Sequence, residues 1–122
     1  MELQFEKLNV WKRAVQYTRA IHELTRNFPN EEKFILTSQI KRAADSIALN
    51  IAEGALGQTR PEFSRFLSYS IRSGAEVITC LYLAKERKLI EGEQFQKLYE
   101  EAKSIIRMTQ ALRKSITPPK SS

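Results

Sequence analysis

The chain has 122 residues, 42% of them hydrophobic, enough for one ordinary core and too few for two comfortable domains. Its 20 Lys and Arg against 14 Asp and Glu leave a formal charge of +6, which favours anionic partners. The single cysteine, Cys80, rules out an internal disulfide, no window reaches the roughly 18 apolar residues of a membrane span, and Met1 to Lys7 does not read as a signal peptide, so a cytoplasmic protein is expected.

Four helical segments account for nearly the whole chain. In the first, from about Asn9 to Phe28, Trp11, Ala14, Val15, Thr18, Ile21, Thr25 and Phe28 recur at three- and four-residue steps, and Pro29-Asn30 stops it. The second is predicted to begin after Asn30, with Glu31 and Glu32 in its first turn, and to run to about Leu56, with Gly57 ending it. It carries two apolar faces. Leu36, Ile40, Ala43, Ala44, Ile47 and Ile51 form one stripe, while Ile35, Leu49 and Leu56 lie on the far side with Arg42 and Glu53. One face serves a core; the other asks for a second partner, and self-association is the first functional expectation.

The third helix opens near Thr59-Arg-Pro-Glu62, where Thr59 can cap, Pro61 is tolerated early and Glu62 can complete a capping box. Its stripe of Phe63, Phe66, Leu67, Ser70, Ile71, Gly74, Val77, Ile78 and Leu81 leads to about Lys88. Gly74 inside that stripe implies close approach by a neighbouring helix, since glycine there costs about 1 kcal/mol relative to alanine. Gly54 and Gly57 read as turn glycines after the second helix. Away from the stripe, Arg65, Tyr69, Arg72 and Glu76, continued by Leu83, make a second patterned face that suits a subunit interface, with Glu53 expected to pair with Arg65 or Arg72.

Leu89-Ile-Glu-Gly92 forms a turn, and Phe95, Leu98, Tyr99, Ala102, Ile105, Ile106, Thr109, Leu112 and Ile116 give the fourth helix its stripe. From about 117 a frayed tail is expected. Long helices joined by short turns predict a single all-α domain, an antiparallel up-down-up-down four-helix bundle spanning 1–122.

Chemistry-bearing residues are sparse. His22 is the one histidine; it and Cys80 lack any ligand spacing. Glu53 and Glu76 lie opposite the apolar stripes, no Glu-x-x-His occurs, and Glu53-Gly-Ala-Leu-Gly57 lacks the third glycine and lysine of a phosphate loop. No catalytic residue, cofactor or metal is assigned; an enzyme would need a site shared between subunits around Glu53, Arg65, Arg72 and Glu76. Basic residues form two groups, Lys85, Arg87 and Lys88 at the end of the third helix and Lys103, Arg107 and Lys114 on one face of the fourth. The first suits a helix C-terminus electrostatically, and both are candidate phosphate contacts.

Ser38 to Gly54 (SQIKRAADSIALNIAEG), followed by Glu62-Phe-Ser-Arg-Phe-Leu67 and Ser73-Gly-Ala-Glu76, resembles the four-helix-bundle proteins of the 23S rRNA-intervening-sequence family. A more distant similarity is to the accessory variability determinant of diversity-generating retroelements. The resemblance runs from about Phe5 to Arg113, with motif positions Ser38, Arg42, Asn50, Glu53, Gly54, Glu62, Phe63, Arg65, Phe66, Leu67, Ser73 and Glu76; Leu49 departs from the shorter residue or proline expected there. It implies a homopentameric, barrel-like ring without established catalytic activity. In the accessory relatives a basic ring associates with reverse transcriptase and nucleic acid, so the partners expected are further copies of the chain, RNA or DNA, and a protein.

Overall fold

The computed structural model describes residues 3–118, and most of the expected tail lies outside the described residues. Four helices follow in order, α1 (Asn9–Thr25), α2 (Leu36–Ala55), α3 (Arg60–Glu86) and α4 (Gly92–Ile116), with no strand among the described residues. Contacts set the directions. Gln39 meets Glu76 while Ser70 meets Ile47, Ser64 meets Arg113 while Tyr82 meets Phe95, and Arg13 meets Glu101 while Tyr17 meets Leu98; Thr18 meets Ala44 between α1 and α2, whose relative direction follows from the other three pairs. Each helix therefore runs antiparallel to its neighbours around one core, the all-α four-helix bundle expected. Packing is most extensive between α2 and α3 and least between α1 and α4.

The α2 stripe is buried as its spacing requires: Leu36, Ile40, Ala43, Ala44, Ile47 and Ile51 are all in the core, together with Leu67, Val77 and Leu81 of α3 and Phe95, Ala102 and Ile105 of α4. Each large aliphatic side chain so buried contributes about 1.5–3 kcal/mol. Helix α1 is rotated from the expected stripe. Ala14, Ile21 and Thr25 are buried, but so are Val10, Tyr17 and Leu24, while Val15 is exposed. Tyr17 can enter the core because its hydroxyl donates to the Leu98 carbonyl at 2.8 Å, so its polar end is satisfied while its ring is buried.

The α1–α2 connection is longer than expected. Helix α1 ends at Thr25, not Phe28; Asn30–Glu32 form a 3-10 turn; and Ile35, with φ −118° and ψ −101°, precedes a helix that begins only at Leu36. Phe28 and Leu36 both reach the core, and the irregular link between them leaves Phe34 and Ile35 outside. Glu32 still serves the helix start, its carboxylate accepting from the Leu36 amide at 3.4 Å and from Arg87 at 2.9 Å.

At α3, Thr59 Oγ1 accepts from the Glu62 amide at 3.2 Å, as a cap should. The Glu62 carboxylate lies instead against Gly57, where an added Cβ would sit 2.5 Å from Oε1. No glycine among the described residues has positive φ; Gly57 lies in the α2–α3 link as expected, but the expectation for Gly54 is corrected, since it lies inside α2. Its hydrogen is needed for space, because a Cβ would come within 2.7 Å of Phe66 Cβ. Gly74 admits Ile106 of α4 in the same way, at 2.8 Å, which is the close approach expected. The left-handed residue is Lys88, with φ 60°. It closes α3: the Lys88 amide donates to the Lys85 carbonyl at 3.0 Å and the Leu89 amide to the Ala84 carbonyl at 2.9 Å, a Schellman pair.

Candidate functional site

The outer face of α2 carries large apolar side chains where a helix facing water is ordinarily polar. Ile35 is 61% exposed, Leu49 65% and Leu56 58%, against 2% for Leu36 on the opposite side of the same helix. Arg42, Glu53, Arg65, Tyr69, Arg72, Glu76 and Leu83 are also exposed, and helical spacing groups them around this face. Gln39 of α2 donates to Glu76 of α3 across the seam, beside a polar notch of about 240 Å³ lined by Gln39, Arg42, Ala43, Ser46 and Glu76. The expected pairing of Glu53 with Arg65 or Arg72 does not form. Arg65 lies over the Phe66 ring at 5.7 Å, and the Asn50 amide donates to the Ser46 carbonyl of its own helix.

Phe34 carries no expectation from the sequence, and Val15, expected in the α1 stripe, is exposed instead. Phe34 is 86% exposed beside Ile35, and Val15 rims a shallow depression with Thr18, Asp45, Ala48 and Leu49. The signal for Phe34 was the run Phe34-Ile35-Leu36, since three consecutive residues cannot all face one core.

The six basic candidates do not act alike. Arg87 pairs with Glu32 at 2.9 Å, and Lys88 is the left-handed closure of α3. Lys85 and Lys103, separate groups in the sequence, converge on one aromatic cluster. Lys85 Nζ lies 4.6 Å from the Phe95 ring centre and Lys103 Nζ 4.9 Å from that of Tyr99, both within cation–π range. Tyr82 packs edge-on against Phe95 at 4.9 Å and against Tyr99 at 6.1 Å, and the Phe95 and Tyr99 rings stack at 5.5 Å. Phe95 is buried, Tyr99 half-buried and Tyr82 exposed. Arg107 and Lys114 are exposed further along α4. Tyr99 is expected only as part of the α4 core stripe and Tyr82 has no expected role, although Tyr82/Lys85 and Tyr99/Lys103 have the three- and four-residue spacings that place a ring and an ammonium on one helical face.

The remaining polar groups brace helices. Arg13 grips Glu101 in a fork, Nε to Oε2 at 3.1 Å and Nη2 to Oε1 at 2.5 Å, joining α1 to α4 above a depression of about 560 Å³ that also includes Tyr17, Lys97, Leu98 and Ser104. Burial, then the Glu101 charge, pushes the Tyr17 phenol well above its ordinary range, which keeps it a donor. His22 meets Asp45 at 3.0 Å between α1 and α2. Burial first, then the Glu76 charge, raises the Cys80 thiol to about 11 against the lowering effect of Arg87, so it is a poor nucleophile at neutral pH. No group of three His, Cys, Asp or Glu side chains placed to hold a metal occurs among the described residues.

Comparison with known proteins agrees with this architecture. A solved structure of a protein with unknown function from the S23 ribosomal protein family of Bacteroides thetaiotaomicron VPI-5482 superposes with a TM-score of 0.81 at 25% identity, covering 86% of this chain and 95% of that one. No curated protein matches. The profile of the 23S rRNA-intervening sequence proteins matches residues 6–111, nearly the whole four-helix bundle, and the chain belongs to that family.

Proposed function

We propose that the protein is a noncatalytic scaffolding or binding protein that works as a homo-oligomer, a pentameric ring, and contacts RNA or DNA through its basic surfaces. The observation that carries this reading is the exposed stripe Ile35, Leu49 and Leu56 on a helix whose other face already fills the core. Covering such a stripe removes apolar area from water, and a repeated side-by-side contact satisfies every subunit only when it closes. Charge supports the second half. Each copy brings +6, so a ring concentrates positive potential that one copy spreads thinly. A distant relationship to the accessory variability determinant of diversity-generating retroelements, which the sequence motifs suggest, would be in keeping with a ring that joins nucleic acid to a protein partner. The cytoplasm is the compartment in which we place it.

Two measurements test this reading. Sedimentation at micromolar concentration is expected to give a species of several 14.1 kDa chains; a monomer alone would refute self-association, and a dimer would refute the ring. Filter binding of oligonucleotides across a salt series is expected to show affinity falling steeply as salt rises. An assembled protein that binds no oligonucleotide at low salt is instead an adaptor for proteins. An enzyme would require a small molecule or metal to be held where Glu53, Arg65, Arg72 and Glu76 of adjoining copies converge.

A further inference from the structure

Beyond a general affinity for phosphates, we infer that the seam between α3 and α4 is a site for single-stranded nucleic acid, with a base stacking on the exposed ring of Tyr82 and the phosphates held by Lys85, Lys103 and Arg107. The inference rests on the proposed nucleic-acid role and gives it a place and a ligand class. Tyr82 is 52% exposed on a helix that had room for a polar residue there, and it is not alone. Its ring abuts Phe95 and Tyr99, and the buried Phe95 fixes the other two from beneath. The result is an aromatic step held in place before any ligand arrives, which lowers the entropy cost of stacking a base on it.

Charge flanks the rings on both sides. Lys85 stands on α3 and Lys103 on α4, each near an aromatic face, and neither is engaged by a carboxylate among the described residues. Arg107 lies one turn beyond Lys103. Five carboxylates are close in sequence; Glu101 is gripped by Arg13, and Glu91 and Glu93 are exposed at the start of α4. Glu100 is held by Gln96 at 2.9 Å, and Glu86 is exposed one turn after Tyr82, at the edge of the site. Aromatic faces interleaved with cations match a single strand, whose bases are open for stacking. A duplex hides its base faces, so against it the same surface offers the cations alone.

Fluorescence anisotropy with a labelled 12-nucleotide oligothymidylate and with a duplex of equal length tests the assignment. Tyr82→Ala is expected to weaken single-strand binding about 5- to 150-fold, the range measured for loss of one stacked base. Tyr82→Phe, which keeps the ring, is expected to bind as the native protein does, and the duplex is expected to be indifferent to both. Lys103→Ala is expected to reduce the slope of log K against log salt by about 0.7 for the single strand. Native-like single-strand binding by Tyr82→Ala would overturn the stacking site while leaving the phosphate role standing; no binding of either oligonucleotide by the native protein at low salt would remove both. Circular dichroism and sedimentation accompany each variant. If Tyr82→Ala instead dissociates the oligomer, the patch is a subunit contact and the assignment fails.

Discussion

At the scale of single residues, space and backbone conformation decide more than chemistry does. Gly54 and Gly74 both sit inside helices, where alanine would gain about 1 kcal/mol in propensity, and both are held as glycine by a neighbour. The neighbours differ. Gly54 faces Phe66 Cβ, fixed to the α3 backbone, whereas Gly74 faces Cγ1 of Ile106, which can rotate. Overpacking costs about 1–3 kcal/mol, so Gly54→Ala is expected to destabilise by about 2 kcal/mol and Gly74→Ala by less than about 1 kcal/mol, read from urea midpoints. Lys88 is the reverse case, a lysine in a left-handed position where glycine fits without strain. Lys88→Gly is expected to stabilise by about 0.5–1 kcal/mol. At Cys80 the native thiol, raised to about 11, holds its proton more tightly than the unfolded one, so its contribution to stability is complete below about pH 9 and is lost as pH rises through about 11. Alkylation at pH 8 is accordingly expected to track global unfolding; rapid labelling of the native protein would contradict the burial.

Among elements, α1 is the helix held least by shape and most by named polar contacts. Its seam with α4 is the sparsest in the bundle, and there the Arg13–Glu101 fork and the Tyr17–Leu98 hydrogen bond do the joining. Both ionic side chains are over a third exposed, so solvent screens them, and a double-mutant cycle is expected to give about 0.5 kcal/mol. Tyr17→Phe, which removes this hydrogen bond while the Leu98 carbonyl keeps its place in the α4 ladder, is expected to cost about 1 kcal/mol. These differences explain what the sequence could disclose. The α2 register was readable because Ile40, Ile47 and Ile51 admit one buried face. That of α1 was ambiguous because Ala14, Ile21 and Thr25 fit two rotations, and only the carbonyl waiting on α4 for the Tyr17 hydroxyl separates them. The aromatic seam was hidden for the same reason, since its two halves lie on helices that meet only after folding. Periodicity reports the face of one helix, not which faces meet.

For the molecule as a whole, the proposed assembly would tie ligand binding to charge and number. Leu49 is 65% exposed, so Leu49→Asp is expected to leave the monomer fold nearly unchanged; Asp45 and Glu53, one turn away on either side, add only a few tenths of a kcal/mol of repulsion. Buried in a subunit contact, the same carboxylate would be strongly unfavourable, and the oligomer is expected to dissociate to 14.1 kDa chains in sedimentation. The monomeric variant then isolates what the proposed ring adds. A short oligonucleotide that touches one copy is expected to bind the variant about as well as it binds the oligomer, apart from the loss of long-range field. A strand long enough to reach a second copy is expected to lose about 100-fold or more, because the second contact no longer occurs at the high effective concentration that a shared particle provides. Its salt dependence is also expected to become shallower, as fewer phosphates are neutralised per bound protein. Equal losses for short and long strands would mean that Leu49 itself touches the nucleic acid, and would move the binding surface from the α3–α4 seam to the outer face of α2.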